Sequence, residues 1–335
     1  MRLTTLAMLA ALAAAPLAAQ PVRNDAPQQD TPRRAAPAAP PEWAMPRGPG
    51  TPPPSDSAAP LRIPGSSVAF TYLRTRDRFD VPDWFPASHP AMPPVVARGR
   101  PPAVMACAYC HLADGGGRPE NAALAGLPAE YVEHQVAAMR DGTRGSAWPA
   151  RGTPWANMKL IADSVTPAEV AEAARYFAAL RARQPRSRVV EAATIPRVRP
   201  AGGLYFFVPD GGTEPLGGRL VEVASDAQRH ELHDPRLEYV AYVPPGSVAR
   251  GRALARRGAA GPATACTCCH GAQLRGVGLV PPIAGRSPSY LLRQLVGFAA
   301  GARATPADSA MRAVAAALTL DDMIAAAAYA GSRDP

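Results

Sequence analysis

One string of residues, Cys-x-x-Cys-His, occurs twice, and the chain around it repeats with it. A shift of 159 carries Cys107, Cys110 and His111 onto Cys266, Cys269 and His270. The same shift carries Ala125 and Gly126 onto Ala284 and Gly285, Tyr131 onto Tyr290, Gln135 onto Gln294, Gly142 onto Gly301 and Arg144 onto Arg303, without a gap. A period this long lies far outside that of a solenoid, so it means two copies of one domain. The fold is therefore built twice, each time around the same cysteines and histidine.

The string has a specific chemistry. Two cysteines one helical turn apart can add to the two vinyl groups on one edge of a porphyrin, and the adjacent His is then held under the iron as proximal ligand. A thioredoxin-like pair also uses Cys-x-x-Cys but does not demand His next in both copies. A zinc ribbon places its pairs about 15–20 residues apart, much closer than these. Disulfides suit an exported chain, yet a bridge inside either string closes a tiny loop. The reading is two covalently bound haem c groups (iron), attached through Cys107, Cys110, Cys266 and Cys269, with His111 and His270 on the irons.

A sixth ligand or an open site completes each iron. Met raises the reduction potential and closes the iron to substrates. Met158 precedes Thr166-Pro-Ala-Glu169, a capping box with Pro at the first helical position, and Met311 precedes Thr319-Leu-Asp-Asp322. Buried Met commonly fills core, but the repeated context favours Met158 and Met311 as ligands, in or near the loop ahead of each terminal helix. From here on the register is 153: Met158 falls on Met311, Thr166 on Thr319 and Tyr176 on Tyr329. Met323 then falls on Val170 and shares a helix face with Ala326 and Ala327, which suits core packing. The run RAVAAAL after Met311 is the feature that could extend a helix around that Met.

The rest of the chain sets limits. Its 335 residues suit two domains, and 40 prolines with abundant Ala favour small helical units over one large core. Formal net charge is +9, almost wholly from Arg, since Lys159 is the only lysine. This favours acidic partners or anionic surfaces; without a long basic run or a basic-aromatic stripe it does not call for nucleic acid. Residues 1–20 read as a secretory signal peptide, with Arg2 ahead of a short apolar run ending near Ala18 and Ala19. A membrane anchor is the rival, but the run is shorter than the roughly 20 residues that span a bilayer. Residues 21–66 are expected to be a Pro/Ala-rich disordered tether, 67–184 the first domain, 185–246 a connector and 247–335 the second domain. Within the connector, LYFFV (204–208), RLVEV (219–223) and EYVAYV (238–243) are strand-like between turn-rich segments.

On the two attachment strings, the AG-x-x-x-x-Tyr-x-x-x-Gln helix starts and a Met ahead of each terminal helix, the chain resembles the tandem di-haem class I cytochromes c, the cytochrome c4-like group, over about residues 100–183 and 247–332. The resemblance implies an all-α fold: two tandem class I cytochrome c domains, here joined by a small β-containing connector. It implies transfer of electrons between redox partners, such as a membrane oxidase, a reductase or a periplasmic dehydrogenase. The protein is then periplasmic, with peripheral membrane contact allowed. Such domains often carry a Pro after the His whose carbonyl orients the imidazole. Pro281 or Pro282 can do so in the second half, whereas Ala122 and Ala123 stand at the matching positions of the first. Pro101 and Pro102 interrupt the helix expected before the first string.

Three functions remain open at this level: a free electron carrier, a cytochrome subunit of a periplasmic dehydrogenase, and a di-haem peroxidase. The Met in each half argues against the last, so no catalytic residue is assigned. Cys268 is read as a passenger inside its string. Tyr131 and Tyr290 either meet haem edges and propionates or pack as core. His230 and His233 are read as a solvated pair lacking a third metal ligand, and His89 and His134 as surface or loop residues.

Overall fold

Four helices recur in the same order in both halves, and the second half carries one more long helix ahead of its string. The computed structural model describes residues 39–149, 153–181 and 187–335, so the expected signal peptide and residues 21–38 of the expected tether lie outside the described residues. The first half contributes α1 (Cys107–His111), α2 (Ala129–Arg140), α3 (Thr153–Ser164) and α4 (Pro167–Ala179). The second contributes α5 (Ser247–Arg257), α6 (Cys266–His270), α7 (Pro288–Ala299), α8 (Ser309–Ala316) and α9 (Leu320–Gly331).

Sequence fixes where the terminal helices begin. At α4 the Thr166 hydroxyl accepts from the Glu169 N–H and the Glu169 carboxylate accepts from the Thr166 N–H; at α9 Thr319 and Asp322 do the same. Such a cap contributes about 1 kcal/mol. The register of 153 reappears in the packing. The Gly126 N–H donates to the Phe177 carbonyl at 3.1 Å, and the Gly285 N–H donates to the Ala330 carbonyl at 3.0 Å. In the second half α5 crosses α9 so closely that a Cβ on Gly251 would lie 2.0 Å from the Ala325 carbonyl oxygen. Only glycine fits that crossing.

The expectation of an all-α fold with a small β-containing connector is wrong. The stretch between the halves holds a five-stranded mixed sheet, built from β1 (Ser187–Glu191), β2 (Val198–Ala201), β3 (Leu204–Phe207), β4 (Val221–Ala224) and β5 (Tyr239–Val243) in the order β1-β5-β4-β3-β2. β1 pairs parallel with β5, and β5 antiparallel with β4. β4 runs parallel to β3, and β3 antiparallel to β2. The sheet has a core on each side. Ile195, Tyr205, Leu216, Val221 and Val223 form one cluster; Ala201, Leu204, Phe206, Ala224, Leu237 and Tyr239 form the other. A sheet covered on both faces is a structural unit in its own right, not a link.

The sheet is also fused to the second half. Val243 and Leu220 join Leu291, Leu292, Ile324 and Met323 in one apolar cluster. Glu222, buried on β4, accepts from the Ser287 hydroxyl (2.7 Å) and the Ser289 N–H (2.9 Å) at the start of α7. A buried carboxylate is tolerable there because it meets orphan donors and the positive end of a helix.

Part of the stretch expected to be a disordered tether is ordered instead. Trp43, Ala44 and Met45 pack into the second half's apolar cluster, the Trp148 indole donates to the Pro41 carbonyl (3.2 Å), and the Tyr205 hydroxyl donates to the Trp43 carbonyl (3.0 Å). Composition alone hid this, because a few aromatic and apolar residues anchor an otherwise Pro-rich segment. Among the described residues no single helix is long and apolar enough to cross a membrane.

Candidate haem-attachment sites

Both strings fold into the same five-residue helix, with the cysteines one turn apart and the His at its end. The next residue turns left-handed, Leu112 at φ 63° and Gly271 at φ 78°. The chain then doubles back: the Gly117 N–H donates to the His111 carbonyl (3.0 Å) and the Gly276 N–H to the His270 carbonyl (2.9 Å). Gly does this freely, whereas Leu in that conformation costs about 1–3 kcal/mol. Leu112 is buried, which offsets part of that cost.

The two histidines are held alike. His111 Nδ1 lies 2.7 Å from the Ala122 carbonyl and His270 Nδ1 lies 2.8 Å from the Pro281 carbonyl. A carbonyl oxygen only accepts, so Nδ1 carries the proton and Nε2 the lone pair. Burial lowers the pKa of both rings, against the hydrogen bond to each carbonyl, and so favours the neutral form that binds metal. The first half's missing proline is thus no loss, because orientation requires only a backbone carbonyl at that place and Ala122 supplies it.

The thiols differ. Cys107 and Cys110 are half-buried; Cys266 is half-buried, and Cys268 and Cys269 are exposed. Burial pushes the Cys107 thiol up to about 12. Met158 and Met311 both lie inside helices, α3 and α8, rather than in the expected loops. The run after Met311 extends a helix around it, and α3 does the same around Met158. Met158 packs partly buried against the first half's core, the cluster that contains Phe177 and Val165. Met323 is 6% exposed within the second half's core.

The halves meet through their duplicated residues. The Gly145 N–H donates to the Ala302 carbonyl (2.6 Å), and the Ala304 N–H to the Thr143 carbonyl (2.8 Å). These bonds are reciprocal under the shift of 159. Beside them Arg144 donates to Gln135 (2.8 Å) and Arg303 to Gln294 (3.0 Å), while Arg303 also crosses to Gln135 (2.8 Å). The Tyr290 hydroxyl lies 3.5 Å from Arg144, so this tyrosine reaches the other half rather than only filling core. Arg286 and Arg293 are buried here as well. Arg286 donates to the Ala123 and Ala125 carbonyls, and Arg293 to those of Ala44 and Pro119.

These groups fit the expected cofactor. Each string pairs two thiols with one preset imidazole, the donor set that covalent haem attachment requires. The interface concentrates guanidinium groups, and Arg303 Nε is buried without a hydrogen-bond partner. Haem propionates are carboxylates of the kind such groups hold. The arginines were invisible as site residues in sequence. Their signals are the repeat of Arg144 as Arg303 and the lack of Asp or Glu over residues 247–307.

Other histidines depart from expectation. His230 and His233 are buried, at 7% and 4% exposure, not solvated. His230 Nδ1 meets the Tyr239 hydroxyl at 3.1 Å, and the His233 ring meets Tyr109 with centroids 4.8 Å apart. His89 is half-buried and bonded to Asp83 and Tyr176; His134 is exposed on α2.

No family model and no curated protein matches the chain. Among solved structures, thiosulfate dehydrogenase (TsdBA) from Marichromatium purpuratum is 29% identical, over 71% of this chain and 39% of that one, with a TM-score of 0.47. The chain thus spans about two fifths of that protein's length. Cytochrome c4 from Acidithiobacillus ferrooxidans is 22% identical, over 68% of this chain and 98% of that one, with a TM-score of 0.43. Reduced recombinant cytochrome c4 from Pseudomonas stutzeri is 22% identical over 68% and 93%, again at 0.43. The chain is thus similar, over about two thirds of its length, to solved cytochromes c4.

Proposed function

We propose that the chain is an exported, periplasmic di-haem c-type cytochrome that carries electrons between redox proteins. The observation that supports this most is the repeated pair of bonds, His111 Nδ1 to Ala122 and His270 Nδ1 to Pro281, each beneath a Cys-x-x-Cys helix. When bound, each haem supplies an iron that exchanges one electron.

The chain's own residues do the rest. Cys107 and Cys110 hold one haem, and Cys266 and Cys269 the other. His111 and His270 each present Nε2 to an iron, and the bonded Nδ1–H keeps the ring fixed and more basic. Met158 and Met311 would supply the second ligand to each iron and so close it to substrate. Arg144, Arg303 and Arg286 would offset the charge of propionates between the halves. The partners are redox proteins, a membrane oxidase, a reductase or a dehydrogenase outside the cytoplasm.

The test is to express the full chain in a host that attaches haem c, extract with acid-acetone and titrate potentiometrically. Two haems retained per chain and two one-electron waves are expected. Loss of the haem, or a single wave of one electron, refutes the reading.

A further inference from the structure

The same turn follows each string and has two different fates. In the first half Arg118 and Asn121 form a backbone bridge, and in the second Val277 and Val280 form one, at positions related by the shift of 159. The first turn is covered. Arg118 pairs with Glu120 at 3.1 Å, with side chains only 11% and 7% exposed, and Glu120 lies 3.5 Å from His230 of the inserted sheet unit. Nearby, the ring of His233 caps Tyr109, inside the first string. The Trp84 indole donates to the Leu232 carbonyl, bringing the chain ahead of the string to the same unit.

The second turn is bare. Leu279 stands where the first half has Glu120, and Val277 where it has Arg118. Val277 is 62% exposed and Leu279 46%. The turn is preset, because the Val277 and Val280 N–H groups each donate to the other's carbonyl at 3.1 and 3.0 Å. It adjoins the exposed Cys268 and Cys269 through Gly271, where an added Cβ would meet Val277 at 3.3 Å. A rigid turn that displays two large apolar groups beside a cofactor attachment marks an interaction site.

Charge defines the partner. The C-terminal end of α5 lies against the second string, with the Thr267 hydroxyl donating to the Ala255 carbonyl at 3.0 Å. Arg252, Arg256, Arg257 and Arg275 are exposed around it, and residues 247–307 hold no acidic side chain to balance them. In the first half, residues 100–160 carry five acids: Asp114, Glu120, Glu130, Glu133 and Asp141.

We propose that the Val277–Val280 turn, with the Cys268/Cys269 edge and its rim of arginines, is the docking surface for a redox protein whose contact patch is apolar and ringed by carboxylates. Electrons pass to that partner at the second string, while the first string's edge is closed by the inserted sheet unit. This rests on the electron-carrier reading above.

The haem-loaded full chain is reduced and mixed by stopped flow with oxidised plastocyanin, a small copper protein with an apolar patch beside an acidic one, as probe. Val277→Asp and the pair Arg256→Glu/Arg275→Glu each lower the second-order rate about tenfold or more, and the wild-type rate falls as salt rises. Arg175→Glu, exposed on α4 of the first half, changes the rate less than about twofold, as a charge outside the rim should. Unchanged rates in the turn and rim variants, an equal loss in Arg175→Glu, or a wild-type rate indifferent to salt overturns the docking proposal. Dithionite reduction of every variant is followed alongside. Two reducible haems with unchanged docking rates sink this proposal alone, whereas fewer than two in the wild type sinks the carrier reading itself.

Discussion

Ahead of the first string the chain manages only a four-residue helix, Pro94–Ala97, where the second half has the eleven residues of α5. Prolines 93, 94, 101 and 102 break the first; the second has no Pro at the matching positions, and its helix runs on to the left-handed Gly258, the counterpart of Gly99. Both halves nevertheless latch their terminal helix in the same way. Arg250 reaches from α5 to Asp322 (2.9 Å), and Arg100 reaches from an irregular loop to Glu169 (2.9 Å). The second half builds its own helix ahead of the string and shares its core with Leu220, with Val243 of β5 and with the Trp43–Met45 segment. The first half lost a helix and gained a cover: residues 67–106 and the inserted sheet unit stand where packing would otherwise be missing. A duplicated fold can therefore diverge in its wrapping while the geometry around its histidines stays fixed.

The comparison is tested most strongly by emptying each half in turn. Cys107→Ser/Cys110→Ser and Cys266→Ser/Cys269→Ser should each leave one haem per chain by intact mass, the remaining haem belonging to the untouched string. A variant that loses both haems would show that the halves do not mature independently.

The methionines come next. Met158→Ala and Met311→Ala should each abolish the Met-to-iron absorption band of one haem and lower its potential. Met323→Ala should keep both bands and cost about 2–5 kcal/mol in denaturant unfolding, since it empties a packed core. Loss of a band in Met323→Ala would mean that the register of the second half is wrong at its iron.

Gly251→Ala has no counterpart in the first half. The added methyl meets the Ala325 carbonyl at the α5–α9 crossing and should cost about 1–3 kcal/mol, read as a fall in the urea midpoint. No loss of stability would show that the two helices can separate freely.

The smallest effect concerns the caps and pH. Arg100 first, then the Thr166 N–H, hold the Glu169 carboxyl down to about 2. A depressed carboxyl contributes stability that is complete above its unfolded value near 4.3 and is lost as pH falls through the folded value. Arg100→Ala should move the Glu169 titration upward in a carboxyl NMR experiment and start its acid loss at higher pH. An unmoved titration would assign the depression to the cap alone.

Much of the site was legible because covalent attachment needs residues close in sequence. The strings, both histidines and the two registers are local patterns, and a repeat makes each of them visible twice. The carbonyl of Ala122 was not legible, since any residue has a carbonyl and only the fold puts this one under His111. The sheet was read at β3, β4 and β5 but underestimated, because β1 and β2, no longer than the others, carry Arg, Glu or Pro among their apolar residues. The partly buried tether and the buried pair His230 and His233 went unread for a similar reason. Their partners lie far away in sequence, at Trp148, Arg293, Tyr109 and Glu120, so no local pattern predicts the burial.

The reciprocal bonds between Thr143–Gly145 and Ala302–Ala304 make the seam between the halves isologous: each half presents nearly the same patch to the other. A surface that complements its own copy does not distinguish the partner within the chain from one on another molecule. Residues 247–335 made alone with their haem should therefore self-associate through this patch into a two-fold homodimer, measurable by sedimentation, and an Arg303→Glu change should return them to monomers. In the intact chain the tether between the halves gives the internal pairing a high effective concentration, so the seam is satisfied internally before another molecule can reach it.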